Sequence, residues 1–340
     1  MKKNKFKFII NILVILIVLS LVLYFSLKEN YQEIINAIRN MNYGFAFLAV
    51  LILCLYRMLA SLGHYLMIRI NHEKVPFIRC LQINFIILFF HGVTPFAGGG
   101  QPMEVYYLHN EHIPVTKATN ITLQNFIVYQ IALVLVGIFA LIYNAYFQLF
   151  PSNHLIKRLV ILGFAINFLV LVVTFLLSFG KRIHKFVCEK GIHFLAKLKL
   201  IKEEEKTRKH FLEYLKNFHE NAMELRKHKS VVVQAIFVNI LGLLVLYSMP
   251  YVVAKGLHIE ISLIQAIVTT AYVMIIGSFV PIPGGTGGIE YGFVFFFGYL
   301  MRGSILNAVM LVWRFISYYL GMIFGAIALS LYRKKERKCE

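Results

Sequence analysis

The sequence predicts an all-α, polytopic transmembrane bundle of about eight long helices, plus two broken or re-entrant Gly-Pro segments arranged as an inverted repeat. Composition is the first support: of 340 residues, 59% are hydrophobic and only 15% charged, whereas water-soluble domains carry about 25% charged residues. Mean hydropathy is +0.70. The second support is length, because apolar runs recur at the roughly 20 residues that cross about 30 Å of hydrocarbon as a helix. The third is a short Pro/Gly/Glu pattern that occurs twice within apolar surroundings.

The eight runs extend from Phe8 to Leu27, Tyr43 to Ile68, Phe77 to His91, Ala118 to Leu149, Leu155 to Phe179, Val231 to Ala254, Ser262 to Phe279 and Ile305 to Tyr332. The first follows Lys2, Lys3, Lys5 and Lys7 but has no small-x-small cleavage site before Lys28. It reads as an uncleaved span rather than a secretory leader. Residues 1–340 thus form one integral membrane domain, interrupted by a polar, basic stretch from Lys181 to Lys229. Within that stretch Glu203, Glu204 and Glu205 precede Phe211, Leu215, Phe218, Ala222 and Leu225 at helical spacing. This predicts an amphipathic helix on the cytoplasmic membrane face, either a connector or a docking element for a partner.

The formal net charge is +19, yet the basic residues cluster at the two ends and in the insert. Cytoplasmic loops of membrane proteins carry such an excess, and anionic lipid heads attract it, so no nucleic-acid partner is implied. Placing the amino end, the insert and the tail Arg333 to Lys338 all in the cytoplasm constrains the number of crossings. Eight simple helices do not satisfy it. Thr94 to Leu108 and Pro281 to Leu300 must each cross as well, in opposite directions.

Those two segments share the pattern P-x-x-G-G-x-x-x-x-E: Pro95, Gly98, Gly99 and Glu104 in the first; Pro281, Gly284, Gly285 and Glu290 in the second. Gly/Pro-interrupted segments at matching places in two halves mark the substrate site of many transporters. Irregular backbone inside a membrane must be buried in protein or line a wet cavity. Helix starts there would turn N–H groups toward an anionic phosphate, with glycines allowing the approach. Neither copy is a nucleotide loop, since G-x-x-x-x-G-K-[ST] is absent.

Charge inside the apolar runs is scarce. Glu104, Glu290, Arg57 and Arg314 are substrate-binding candidates on that ground, with internal Arg–Glu pairing as the alternative role. Gln101 and Thr286, within the motifs, and Tyr106, Gln124 and Asn125 are candidate hydrogen-bonding groups, or polar packing contacts between helices. The twelve histidines are dispersed, and His109 and His112 have only Glu111 beside them, so no metal site is expected. Cys54, Cys80, Cys188 and Cys339 form no C-x-x-C pair. No cofactor and no catalytic residue is expected.

The stretches Thr94–Leu108 and Val280–Glu290, above all the Pro-x-Pro-Gly-Gly-x-Gly-x-x-Glu form of the second, resemble the lysylphosphatidylglycerol synthase transmembrane region, or flippase-like domain. The resemblance covers nearly the whole chain. In the multiple peptide resistance factor it implies a region that moves aminoacylated phosphatidylglycerol between leaflets, beside a soluble lysyl-transferring domain that this sequence does not contain. Expected partners are therefore membrane phospholipids, with a separate lipid synthase as a further one, in a bacterial cell membrane with both termini cytoplasmic. The leading expectation is a lipid translocase in which Arg57 or Arg314 engages phosphate and Glu104 or Glu290 a cationic head group. Aminoacyl transfer to phosphatidylglycerol is the enzymatic alternative, and a non-transporting membrane partner is the third.

Single cysteines placed at His109, Asn153 and Leu257 of a cysteine-free protein test the crossing count. An impermeant thiol reagent added outside is expected to label Asn153→Cys and Leu257→Cys but not His109→Cys.

Overall fold

The computed structural model describes residues 31–71, 73–94, 98–150, 154–179, 223, 225–277 and 282–332. The expected first span, Phe8 to Leu27, nearly all of the 181–229 insert, and Pro95 and Pro281 of the repeated motif lie outside the described residues. Among those described, the regular structure is entirely helical. The remaining seven expected runs appear with boundaries shifted by a few residues.

Helix α1 (Tyr31–Arg39) is a short amphipathic element that the apolar runs did not signal. Asn42 then starts α2 (Tyr43–Ile70) by accepting the Gly44 N–H on its side-chain oxygen at 3.0 Å. Pro76 and Pro114 stand at the N-caps of α3 (Phe77–Val93) and α5 (Val115–Phe147), where the missing N–H costs nothing. Between them lies α4 (Gly100–Asn110). The chain continues through α6 (His154–Phe179) and α7 (Lys229–Tyr247), and Pro250 helps separate α7 from the short α8 (Met249–Gly256). Helix α9 (Leu263–Gly277) leads to a 3-10 turn at Pro283–Gly285 and then α10 (Gly288–Phe297). The last run is divided into α11 (Gly303–Arg314), a π-turn at Phe315–Leu320 and α12 (Gly321–Ser330).

Four continuous stretches, Tyr43–Ile70, Val115–Phe147, Lys229–Gly256 and Gly303–Ser330, are long and apolar enough to cross a membrane, and three shorter apolar helices accompany them. By contrast α4 and α10 have 11 and 10 residues, about 15 Å at 1.5 Å per residue. Each reaches only half the hydrocarbon thickness, as the broken-segment expectation requires.

Packing shows why the half-helices fall where they do. One apolar core takes Ala49 and Leu53 from the first half of α2, Ala132, Val136 and Ala140 from the second half of α5, and Phe293, Phe296 and Phe297 from α10. The other takes Met67, Ile68 and Ile70 from the end of α2, Ala118 and Ile121 from the start of α5, and Tyr107 and Leu108 from α4. The cores therefore occupy opposite ends of α2 and α5, with one half-helix embedded in each.

Helix α12 closes on α3 through Gly321-x-x-x-Gly325, a small-residue spacing that lets helix backbones approach in a membrane. A Cβ on Gly325 would sit 2.5 Å from the Phe85 carbonyl oxygen and 2.8 Å from Phe89 Cβ, and one on Gly321 would press on Leu88. Gly325→Leu is expected to destabilise the detergent-solubilised protein by about 1–3 kcal/mol, measured by thermal unfolding. Ala326→Leu, on the neighbouring exposed position, is expected to change stability little.

Candidate functional site

The second motif copy is organised by one guanidinium. Arg314 closes α11, and its Nε donates to Glu290 Oε1 at 2.7 Å while Nη2 donates to the Gly284 carbonyl oxygen at 2.7 Å. The other carboxylate oxygen of Glu290 accepts the Gly287 N–H at 2.7 Å. Both side chains are buried, 7% and 5% exposed, so the pair is desolvated. Below it the guanidinium lies 4.2 Å from the ring centre of Tyr318, whose hydroxyl donates to the Gly92 carbonyl oxygen of α3 at 2.8 Å.

Glycine is required here for its backbone. Gly284, Gly285 and Gly287 have φ of 67°, 63° and 89°, the left-handed region that side chains disfavour. A Cβ on Gly284 would also run into the Tyr318 ring, whereas Gly287 has open space on that side.

The first copy uses glycine differently. Gly99 has φ −79°, so the requirement is room: a Cβ there would meet Thr94 at 2.5 Å, and one on Gly100 would enter the His91 ring. Helix registration differs too. Glu290 is the third residue of α10 and reaches back to cap its start, while Glu104 is the fifth residue of α4 and is carried past that position. Glu104 Oε1 instead lies 2.8 Å from His64 Nε2, with the carboxylate side chain 7% exposed and the imidazole fully buried.

A cavity of about 380 Å³ opens beside the first of the two cores, lined by Arg57, Arg314, Gly284, Gly285, His91 and Tyr318, among others. Arg57 stands near the middle of α2. Its Nη1 donates to Asn84 Oδ1 at 3.3 Å and its guanidinium lies 4.4 Å from the Tyr56 ring centre. Its Nε is buried without a hydrogen-bond partner. No carboxylate among the described residues pairs with it, in contrast to Arg314.

Of the four charged candidates, Gln101, Thr286 and the four motif glycines, Arg57, Arg314, Gly284 and Gly285 thus meet at one cavity. Glu290 stands behind Arg314 and, with it, borders a separate apolar groove of about 830 Å³ between α1, α2 and α11. The Thr286 hydroxyl is committed to the Pro283 carbonyl at 2.8 Å. Gly98, Gly99, Gln101 and Glu104 are not among the lining residues of the cavity. Two departures from expectation follow. The two glutamates do not share this chamber, and two of the motif N–H groups are already used, that of Gly287 by Glu290 and that of Gly99 by the Thr94 hydroxyl at 2.9 Å. Of the polar groups beside the first motif, Gln124 accepts from Asn71 at 2.6 Å, and Tyr106 is 52% exposed.

The family model described as the lysylphosphatidylglycerol synthase TM region matches residues 9–325. The chain belongs to this family. It is also similar to a UPF0104 membrane protein of Archaeoglobus fulgidus, 23% identical over 274 residues, which cover 76% of this chain and 77% of that protein. Family membership and the apolar helices together make it a multi-pass membrane protein.

His64, His91 and Tyr318 join these groups although none of them is among the sequence-derived candidates. A signal for His64 was present, because an ionisable residue within the α2 apolar run is costly by the same rule that singled out Arg57. Tyr318 gave none, since a tyrosine in a lipid-crossing helix is common. For the family motif, Gly284→Ala is expected to lower thermal stability more than Gly287→Ala, the first combining left-handed strain with a clash and the second strain alone. Glu290→Ala, which leaves Arg314 uncompensated, is expected to cost about 3–5 kcal/mol, with partial recovery in Glu290→Leu/Arg314→Met.

Proposed function

We propose that the chain is a membrane lipid translocase whose cargo carries an anionic phosphate, phosphatidylglycerol or its aminoacyl derivative being the chemistry that the family description suggests. Arg57 carries this reading. A guanidinium cannot shed its charge, and one held inside an apolar bundle without a carboxylate has an electrostatic deficit that a phosphate oxygen would fill. The cavity beside it is within the size range of small-ligand sites, and Arg314 supplies a second cation on the facing wall.

The division of labour differs between the two arginines. Arg314 is neutralised by Glu290 and fixes the Gly284 turn, so it shapes the wall and contributes field. Arg57 keeps an unused N–H and is the group that gains most from a ligand. The expected contact between a glutamate and a cationic head group is assigned in this reading to Glu290, and only when Arg314 turns toward the phosphate.

Fluorescent phosphatidylglycerol in proteoliposomes, read with an impermeant quencher, tests the proposal. The protein is expected to accelerate leaflet exchange, and Arg57→Gln to slow it by about tenfold to a hundredfold, the equivalent of one charge-assisted hydrogen bond. Wild-type exchange no faster than in empty liposomes would sink the reading, and unchanged exchange in Arg57→Gln would remove Arg57 from it.

A further inference from the structure

The two motif glutamates have been given partners of different kinds. Glu290 faces an arginine, whose charge persists at every physiological pH. Glu104 faces a histidine, the side chain whose charge changes between about pH 5 and 8. His64 is fully buried, its Nδ1 has no hydrogen-bond partner, and its Nε2 contact with Glu104 is close without being aligned as a hydrogen bond. We propose that His64 and Glu104 form a proton-binding site, separate from the phosphate cavity, that couples cargo movement to a proton gradient. The coupling half of this inference rests on the translocase reading above.

Loaded, the pair is an imidazolium beside a carboxylate and is internally neutral. Releasing one proton from the imidazole leaves a carboxylate with no compensating charge in an apolar place, a state that favours hydration. Proton release is therefore linked to exposing the face of α4 that carries Glu104. Gly100 and Glu104 are four residues apart and share that face. On Gly100 rests the His91 ring, which is also a wall of the cavity. A movement of α4 that wets the pair thus moves the cavity wall one helical turn away.

Other ionisable groups stand on the elements packed against α2 and α4, among them Lys229 and Tyr247 at the two ends of α7, Cys80 of α3, Tyr129 of α5 and Tyr106 and Tyr107 of α4. Arg79 of α3 lies 3.5 Å from Glu111, and Lys117 of α5 lies 2.8 Å from Glu73. Lys255 of α8 and Arg69 of α2 lie over Tyr251 and Tyr65. His109 of α4 meets the Ile113 carbonyl, and the π-turn contributes Tyr318 and Tyr319. From α7 comes Asn239, a neutral amide against Gly63, one residue before His64. Arg57 is seven residues from His64, about 10 Å along the helix, while His91 packs on Gly100 of α4 and Tyr332 on Tyr107.

One proton per lipid allows a pH difference of one unit to sustain up to about a tenfold difference in lipid between leaflets, since one pKa unit is a factor of ten. Proteoliposomes with fluorescent phosphatidylglycerol, membrane potential clamped at zero and a one-unit pH step are expected to approach that ratio, and His64→Gln to return it to one. A ratio retained in His64→Gln overturns the proposal. Infrared difference spectra of the purified protein read the site without lipid transport. An imidazole ring band and a carboxylate band that change together with pH, the first vanishing in His64→Gln and the second in Glu104→Gln, support a proton site even if phosphatidylglycerol exchange fails. Spectra unaffected by either substitution overturn it.

Discussion

Charge buried in a helical bundle must be neutralised where it stands, and the Arg314–Glu290 pair meets that demand in a way that shapes much of the second half of the protein. The guanidinium is shared between a carboxylate and the Gly284 carbonyl, so one residue both cancels a charge and holds a left-handed turn. Glu290 in turn caps α10, and α10 brings Phe293, Phe296 and Phe297 into the larger core. An ion pair in such a place does not by itself stabilise, because desolvation offsets the attraction. What it does supply is a single geometry, since the carboxylate and the Gly284 carbonyl each take a guanidinium N–H and a shift of either leaves a buried group stranded.

Arg57 inverts that logic. It sits near the middle of α2 with an amide and an aromatic ring for company, and its Nε is left without an acceptor. The two motif copies are likewise related in sequence but not in use. A two-residue difference in where the following helix starts makes one glutamate a cap and sends the other to a histidine. Similar letters at similar spacing have been put to different physical ends.

Much of the architecture was legible because hydrophobic run length and intramembrane charge are local signals. Arg57 and Arg314 were found by scarcity alone, and the broken segments by their glycines and prolines. What could not be read was pairing. Nothing in the order of residues says that Glu104 meets His64, forty positions earlier, because that depends on how α4 docks against α2. The short α1 was missed since it is amphipathic rather than apolar, and the division of the last run escaped notice because a π-turn leaves composition unchanged.

The hydroxyl of Tyr318 has a further implication. Gly92 lies in the final turn of α3, whose carbonyls lack partners within their own helix, and Tyr318 supplies the missing donor from the other end of the chain. Any swing of the closing helix away from α3 orphans that oxygen in surroundings that offer few substitutes. The joint can part only as water arrives to take over the bond, so hinge motion and local flooding there are a single event.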